Sequence, residues 1–157
     1  MNSTTQPAAP QRTALLVIDV QQAMFTKSAP VYQSEMLLAN ILSLTSKARK
    51  AGAPVVWVQH SDARDLIPGT PGWQLHPDLI PEAQDLKLMK EKGNAFENTK
   101  LKQLLAERGV DDVLVIGGGI IPEEDIPALK AAGIAEVFTP GTSTAETVKF
   151  IREHVMR

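Results

Sequence analysis

The sequence predicts a doubly wound α/β fold, with five parallel strands in one sheet and helices on both faces. Three observations predict it. First, an amphipathic helix, a glycine, a short gap and a β-branched run recur as KARKAG-A-PVVWVQH, LLAERG-VD-DVLVIGG and LKAAG-IA-EVFTPG. Second, the glycine of each unit (Gly52, Gly109, Gly133) stands where a helix C-cap calls for a left-handed residue. Third, the runs that follow are short, apolar and largely unalternating, as strands buried on both faces of a parallel sheet are.

Taken in order, strands are expected near 13–19, 54–59, 86–90, 112–117 and 135–139, and helices near 33–51, 97–108, 122–132 and 143–155. The first of these helices carries Met36, Leu37, Ile41, Leu44 and Ala48 at helical spacing. Pro127 fits only the first turn of its helix, which favours a start nearer Asp125 than Pro122. The last helix opens on Ser143-Thr144-Ala145-Glu146, a capping box in which each side chain satisfies an orphan N–H of the other's segment. Residues 61–85 hold four prolines and two glycines and read as a long loop of the kind that is functional or mobile in compact domains. The Ser-, Thr-, Pro- and Ala-rich residues 1–12 read as a disordered tail, and residues 13–157 as a single α/β domain.

Bulk properties narrow the function classes. A chain of 157 residues is long enough for one core. Its net charge of -2 gives no electrostatic case for nucleic acid or an anionic membrane. Its longest apolar runs are too short to cross a bilayer, and no apolar segment of a signal peptide is present near the start, so a cytoplasmic setting is expected. The sequence has no cysteine, which excludes disulfides, thiolate metal sites and thiol catalysis by this chain.

The segments TALLVIDVQQAMF, GWQLHPDLIPE and KEKGNAFENTKLKQLLAERGVDDVLVIG form an ordered series that resembles the isochorismatase-like cysteine hydrolases. The resemblance covers about two thirds of the chain. It implies that Asp19, at the end of the first strand, occupies the catalytic acid position and that Lys90 is the lysine of the third strand. In that family an aspartate moves the proton of a cysteine nucleophile while the lysine holds the pair and stabilises charge. The cysteine lies on the turn after the fourth strand; six residues beyond Gly117, this chain has Glu123. His60, Asp62 and His76 invite a metal reading, but the Asp-x-His element of metal-binding relatives is missing, and no metal is expected.

From Val115 the chain reads VIGGGIIPEEDIPALKAAGIAEVFTPGTSTAETVKFIREHV, which resembles the end of a methylmalonyl-CoA mutase cobalamin-binding domain. That resemblance implies that Gly118, Gly119, Gly141 and Thr142 are remnants of a cofactor cleft. The histidine motif that would coordinate cobalt, Asp-x-His-x-x-Gly, occurs nowhere in the chain.

Both families are Rossmann-like, flavodoxin-like three-layer folds. The first implies the strand order 3-2-1-4-5; the second implies 2-1-3-4-5 as the alternative. Together the two resemblances predict an engineered fold chimera, joined within 113–118, with no native catalytic activity and hence not an enzyme. Two alternatives stay open. One is an isochorismatase-like hydrolase with residual activity, using Asp19, Lys90 and an activated water. The other is a weak binder of cobalamin or a nucleotide. No cofactor and no definite partner is assigned, and a homo-oligomer is compatible with the first resemblance.

Overall fold

The computed structural model describes residues 13–27, 31–110, 116–118, 122–131, 134–139 and 141–155. They fall into two compact units, Met1–Asp111 and Asp112–Arg157.

The first unit contains β1 (Leu15–Ile18), α1 (Gln22–Phe25), α2 (Ser34–Lys50), β2 (Val55–His60), β3 (Leu86–Lys90) and α3 (Leu101–Ala106). Its strands form a parallel sheet in the order β1-β2-β3. The central strand has the two-faced burial expected of it. Val55 and Trp57 pack with Val17, Leu38, Ile41 and Leu79 on one face. Val56 and Val58 pack with Ala95, Leu101, Leu105 and Val110 on the other. Fully burying side chains of this size stabilises by about 1.5–3 kcal/mol each, so β2 is the spine of the unit. Its central place also corrects the alternative order 2-1-3-4-5, which would set β1 between β2 and β3.

The second unit contains β4 (Ile116–Gly118), α4 (Ile126–Ala131), β5 (Glu136–Phe138) and α5 (Thr144–Val155), with β4 and β5 paired in parallel. The described residues form a three-stranded sheet in the first unit and a two-stranded sheet in the second; the parallel α/β pattern expected is present in each, and the five-strand order is not established by them. Residues 112–115, the first part of the expected fourth strand, lie outside the described residues. None of the helices of the described residues is long and apolar enough to cross a membrane.

Local chemistry sets the element ends. Gly52 and Gly109 take φ of 74° and 72° after α2 and α3. Gly133 lies outside the described residues. The α3 helix is shorter than expected because Asn98 turns to a φ of 55° and Thr99 Oγ1 donates to the Ala95 carbonyl, so the chain turns twice before Leu101. A 3₁₀ turn at Glu123–Asp125 precedes α4, leaving Pro127 in the first turn of the helix. The capping box forms: the Ser143 N–H donates to Glu146 Oε2 at 2.9 Å, and the Glu146 N–H donates to Ser143 Oγ at 3.2 Å.

The long loop 61–85 is tied down at its start, middle and end. Asp62 Oδ1 accepts the N–H groups of Arg64, Asp65 and Leu66. In the middle, Gln59 Nε2 donates to the Trp73 carbonyl at 2.8 Å, and the Trp73 indole donates to Ser61 Oγ at 2.9 Å. At the end, the buried Asp85 carboxylate accepts the Arg49 guanidinium of α2, the Trp57 indole N–H and the Glu82 backbone N–H.

A further tie comes from Gln21, which is completely buried. β1 stops at Ile18 because Asp19 takes a φ of 61°, a conformation costing about 1–3 kcal/mol for a non-glycine residue. The backbone therefore leaves the sheet just before the His60 end of β2. The Gln21 side-chain amide fills in for it. Its Oε1 accepts the His60 N–H at 2.8 Å, and its Nε2 donates to the His60 and Trp73 carbonyls at 2.9 Å each. A primary amide has the donor and acceptor set of a peptide, so one side chain continues the ladder that the turn interrupts.

Two outcomes are expected. Burial acts to raise the Asp85 pKa, but the hydrogen bonds from Arg49, Trp57 and Glu82, with the Arg49 charge, outweigh it and hold the carboxyl below its ordinary value. A carboxyl depressed on folding stabilises fully above its unfolded value of ~3.9, and that contribution is lost as pH falls through the lower folded value. Asp85→Ala is expected to cost about 3 kcal/mol at pH 7, leaving Arg49 without its buried partner. Urea unfolding should show the gap to the wild type narrowing below about pH 4. Gln21→Leu, which orphans the His60 N–H and C=O and removes one of the two donors to the Trp73 carbonyl, is expected to cost about 1–3 kcal/mol in the same measurement at neutral pH.

Candidate active site

The C-terminal ends of β1, β2 and β3 bring three polar side chains together. β3 ends at Lys90, which is paired with His60 in the parallel register. The Ser61 N–H donates to the Lys90 carbonyl at 2.8 Å, extending the β2–β3 ladder by one step. Lys90 is 3% exposed, an unusual depth for a lysine, so its ammonium needs partners. It has three. Nζ lies 3.0 Å from Asp19 Oδ2, 3.2 Å from the Lys92 carbonyl oxygen and 3.4 Å from His60 Nδ1.

Asp19 is held differently. Its backbone N–H donates to the Val58 carbonyl, and the left-handed turn then projects its carboxylate beyond the sheet end. The side chain is 38% exposed. Oδ2 faces Lys90, while Oδ1 is buried and has no hydrogen-bond partner among the described residues. A carboxylate oriented by an ammonium and partly open to solvent is arranged to accept a proton from a group placed beside it.

The two residues assigned from the first resemblance, Asp19 and Lys90, are thus in direct contact. The other candidates belong to the second unit. Glu123 is exposed on the 3₁₀ turn of the second unit. Gly118 ends β4 opposite Phe138; Gly141 takes a φ of 101° in an exposed turn; Thr142 is exposed, its N–H donating to the Thr139 carbonyl. Gly119 lies outside the described residues.

The three metal candidates separate. Asp62 turns into its own loop, where hydrogen bonds from the backbone of Leu66, Arg64 and Asp65 hold its carboxyl below the ordinary range. His76 packs edge-on against Phe25 and faces Asp78. Only His60 reaches the Asp19–Lys90 pair. Among the described residues no group of three His, Cys, Asp or Glu is placed to hold a metal ion.

Sequence reasoning missed Gln21 and Trp73 as organisers of this site. Gln21 follows the strand-end aspartate by two residues, where an alternating strand would turn its side chain to the same face. That spacing was the available signal; the turn at Asp19 that gives it its task was not readable.

The isochorismatase domain model matches residues 13–119. Streptothricin hydrolase of Streptomyces noursei is 34% identical over 119 residues, covering 74% of this chain and 47% of that protein. Ureidoacrylate amidohydrolase RutB of Enterobacter sp. (strain 638) is 28% identical, covering 73% of this chain and 69% of that protein. The crystal structure of an isochorismatase family protein superposes with a TM-score of 0.65 at 27% identity, covering 86% of this chain and 82% of that one. The chain spans about half the length of the streptothricin hydrolase it matches.

These matches overturn the reading of the chain as a fold chimera without activity and as a non-enzyme. A single family accounts for the fold well beyond residue 119, and named relatives are hydrolases. The physical reason for the error is plain. A glycine turn after a strand and a Pro-Gly-Thr turn before a capped helix serve any parallel α/β fold, so the pattern after residue 117 does not distinguish a second parent. A missing cysteine removes a thiolate, which is one route to hydrolysis and not hydrolysis itself. On the strength of the match over residues 13–119, the chain belongs to the isochorismatase family.

Proposed function

We propose that this chain is a hydrolase of amide-type C–N bonds in which Asp19 activates water directly. The observation that carries the reading is the Asp19 carboxylate: Oδ2 is locked on the buried Lys90 ammonium and the buried Oδ1 is unpartnered among the described residues. The amidohydrolase name of one relative and the hydrolase name of another support the reaction class. The order β3-β2-β1 supports the placement, since it brings the strand ends carrying residues 19, 60 and 90 side by side.

The sequence has no cysteine, so the attacking oxygen is that of water. The partly exposed Asp19 carboxylate takes one proton from the water as the water oxygen bonds to the carbonyl carbon. The resulting tetrahedral adduct carries the negative charge on the former carbonyl oxygen. As it collapses, the C–N bond breaks and the proton on Asp19 passes to the leaving nitrogen. A primary amide then yields a carboxylic acid and ammonia, and Asp19 is again ionised. Lys90 keeps Asp19 oriented throughout, because its three N–H bonds are directed at Asp19, His60 and the Lys92 carbonyl. A general base of this kind contributes about 10²–10⁴-fold.

Ammonia release from benzamide and N-carbamoylglycine tests the reading. The wild-type chain is expected to exceed the buffer rate on at least one, and Asp19→Asn to lower kcat by about 10²-fold or more. Lys90→Met should lower it as well, through loss of Asp19 orientation. Equal rates for the wild type and Asp19→Asn would show the assignment to be wrong.

A further inference from the structure

We infer that His60 is a catalytic residue of this site: its Nε2–H donates to the carbonyl oxygen of the substrate and stabilises the oxyanion formed when water adds. The inference rests on the amide-hydrolysis reading above and identifies the group that answers the charge Asp19 helps create.

Water addition needs a hydrogen-bond donor as well as a base. The nearest cation is not available for it. Lys90 has three donors, and they face Asp19 Oδ2, His60 Nδ1 and the Lys92 carbonyl. The Gln21 amide is equally committed, with Nε2 shared between the His60 and Trp73 carbonyls, and the Gln59 amide donates to the Trp73 carbonyl.

His60 is different. An ammonium has no acceptor, so the atom facing it at 3.4 Å presents a lone pair. Nδ1 is therefore the bare nitrogen, and the ring proton sits on Nε2, on the opposite edge of the imidazole. Nε2 makes no hydrogen bond among the described residues, and the His60 residue is partly exposed. Asp19 Oδ2 and His60 Nδ1 lie 3.0 and 3.4 Å from one nitrogen, which sets the two side chains beside each other at the sheet end. A neutral imidazole held in one tautomer is a known way to polarise a carbonyl.

A second observation is independent of the ring. The completely buried Gln21 amide holds both the N–H and the C=O of His60, and no other residue is gripped in this way by a single side chain among the described residues. Such a clamp fixes the Cα of His60 against the substrate side of the sheet, as a preorganised donor requires.

Two measurements test the inference. In histidine labelled with ¹⁵N, the wild-type chain at neutral pH should show His60 with a protonated Nε2 and a bare Nδ1, the signal being assigned by its loss in His60→Gln. A bare Nε2, or protons on both nitrogens, would overturn the inference without reference to any substrate. In ammonia release from benzamide or N-carbamoylglycine, whichever the wild type hydrolyses, His60→Leu should lower kcat by about 10²–10³-fold with little change in KM. His60→Gln keeps an N–H donor of similar reach and should recover about tenfold of that loss, which a merely structural role would not give. If Asp19→Asn abolishes turnover while His60→Leu and His60→Gln both keep the wild-type kcat, the hydrolase reading stands and the role of His60 is refuted. If the wild type releases no ammonia above buffer, the hydrolase reading fails and this inference with it.

Discussion

Everything at the sheet end depends on one backbone event, the left-handed turn at Asp19. In a parallel sheet the useful side chains lie beyond the C-terminal strand ends, where the backbone must leave the ladder to let them project. Leaving the ladder exposes the N–H and C=O of the neighbouring strand, and buried groups of that kind are costly when unpaired. The Gln21 amide meets both at His60 and reaches the Trp73 carbonyl as well. The strained turn, the clamped strand end and the anchored loop are therefore one arrangement, and Asp19 cannot be presented to a substrate without it.

The charge at the site follows from the same geometry. An isolated ammonium as deeply placed as Lys90 would be strongly disfavoured, and its stability here comes from a carboxylate, a carbonyl and an imidazole lone pair that together match its three donors. Asp19 is the partly wet member of the pair, so it does not bear the full desolvation that Lys90 does. Structural ion pairs elsewhere in the unit are built the other way. Asp85 is the buried member and every bond it accepts points inward, which fixes loop 61–85 to α2 and leaves nothing free to react. The contrast between a saturated carboxylate at Asp85 and a half-used one at Asp19 is what separates scaffold from site.

How much of this was legible in the sequence varies by residue. The unalternating run Val55–Val58 announced a strand buried on both faces, and the structure packs it between two helical layers. Gly52 and Gly109 announced the helix ends, and Ser143 with Glu146 the start of α5, because caps are local chemistry. Asp19 and Lys90 were legible as a pair only through the order of motifs along the chain, since nothing in the 70 intervening positions says that they touch. Gln21, Trp73 and the Arg49–Asp85 bond were not legible, because each depends on where a distant backbone segment arrives. The glycine-rich turn after residue 116 misled for the opposite reason: its chemistry is too general to identify a parent. Reading inactivity from the missing cysteine treated one nucleophile as the whole mechanism.

The absence of a thiol changes which residue the chemistry hangs on. With a covalent nucleophile, a hydrolase splits the reaction into acylation and deacylation, and the activated sulfur carries much of the barrier. With water as nucleophile, addition and collapse follow each other at one carbon, and the same carboxylate oxygen must accept a proton in the first step and return it in the second. On the proposed reading, the partly exposed Asp19 carboxylate is suited to that double duty, while Lys90 on Oδ2 keeps it oriented between the two transfers. The cost of such an arrangement falls on the substrate oxygen, whose charge is not relieved by a covalent intermediate. On the proposed reading, a donor facing that oxygen matters more than it would beside a thiolate, and the far edge of the His60 ring, next to a fully occupied lysine, is the group proposed to supply it.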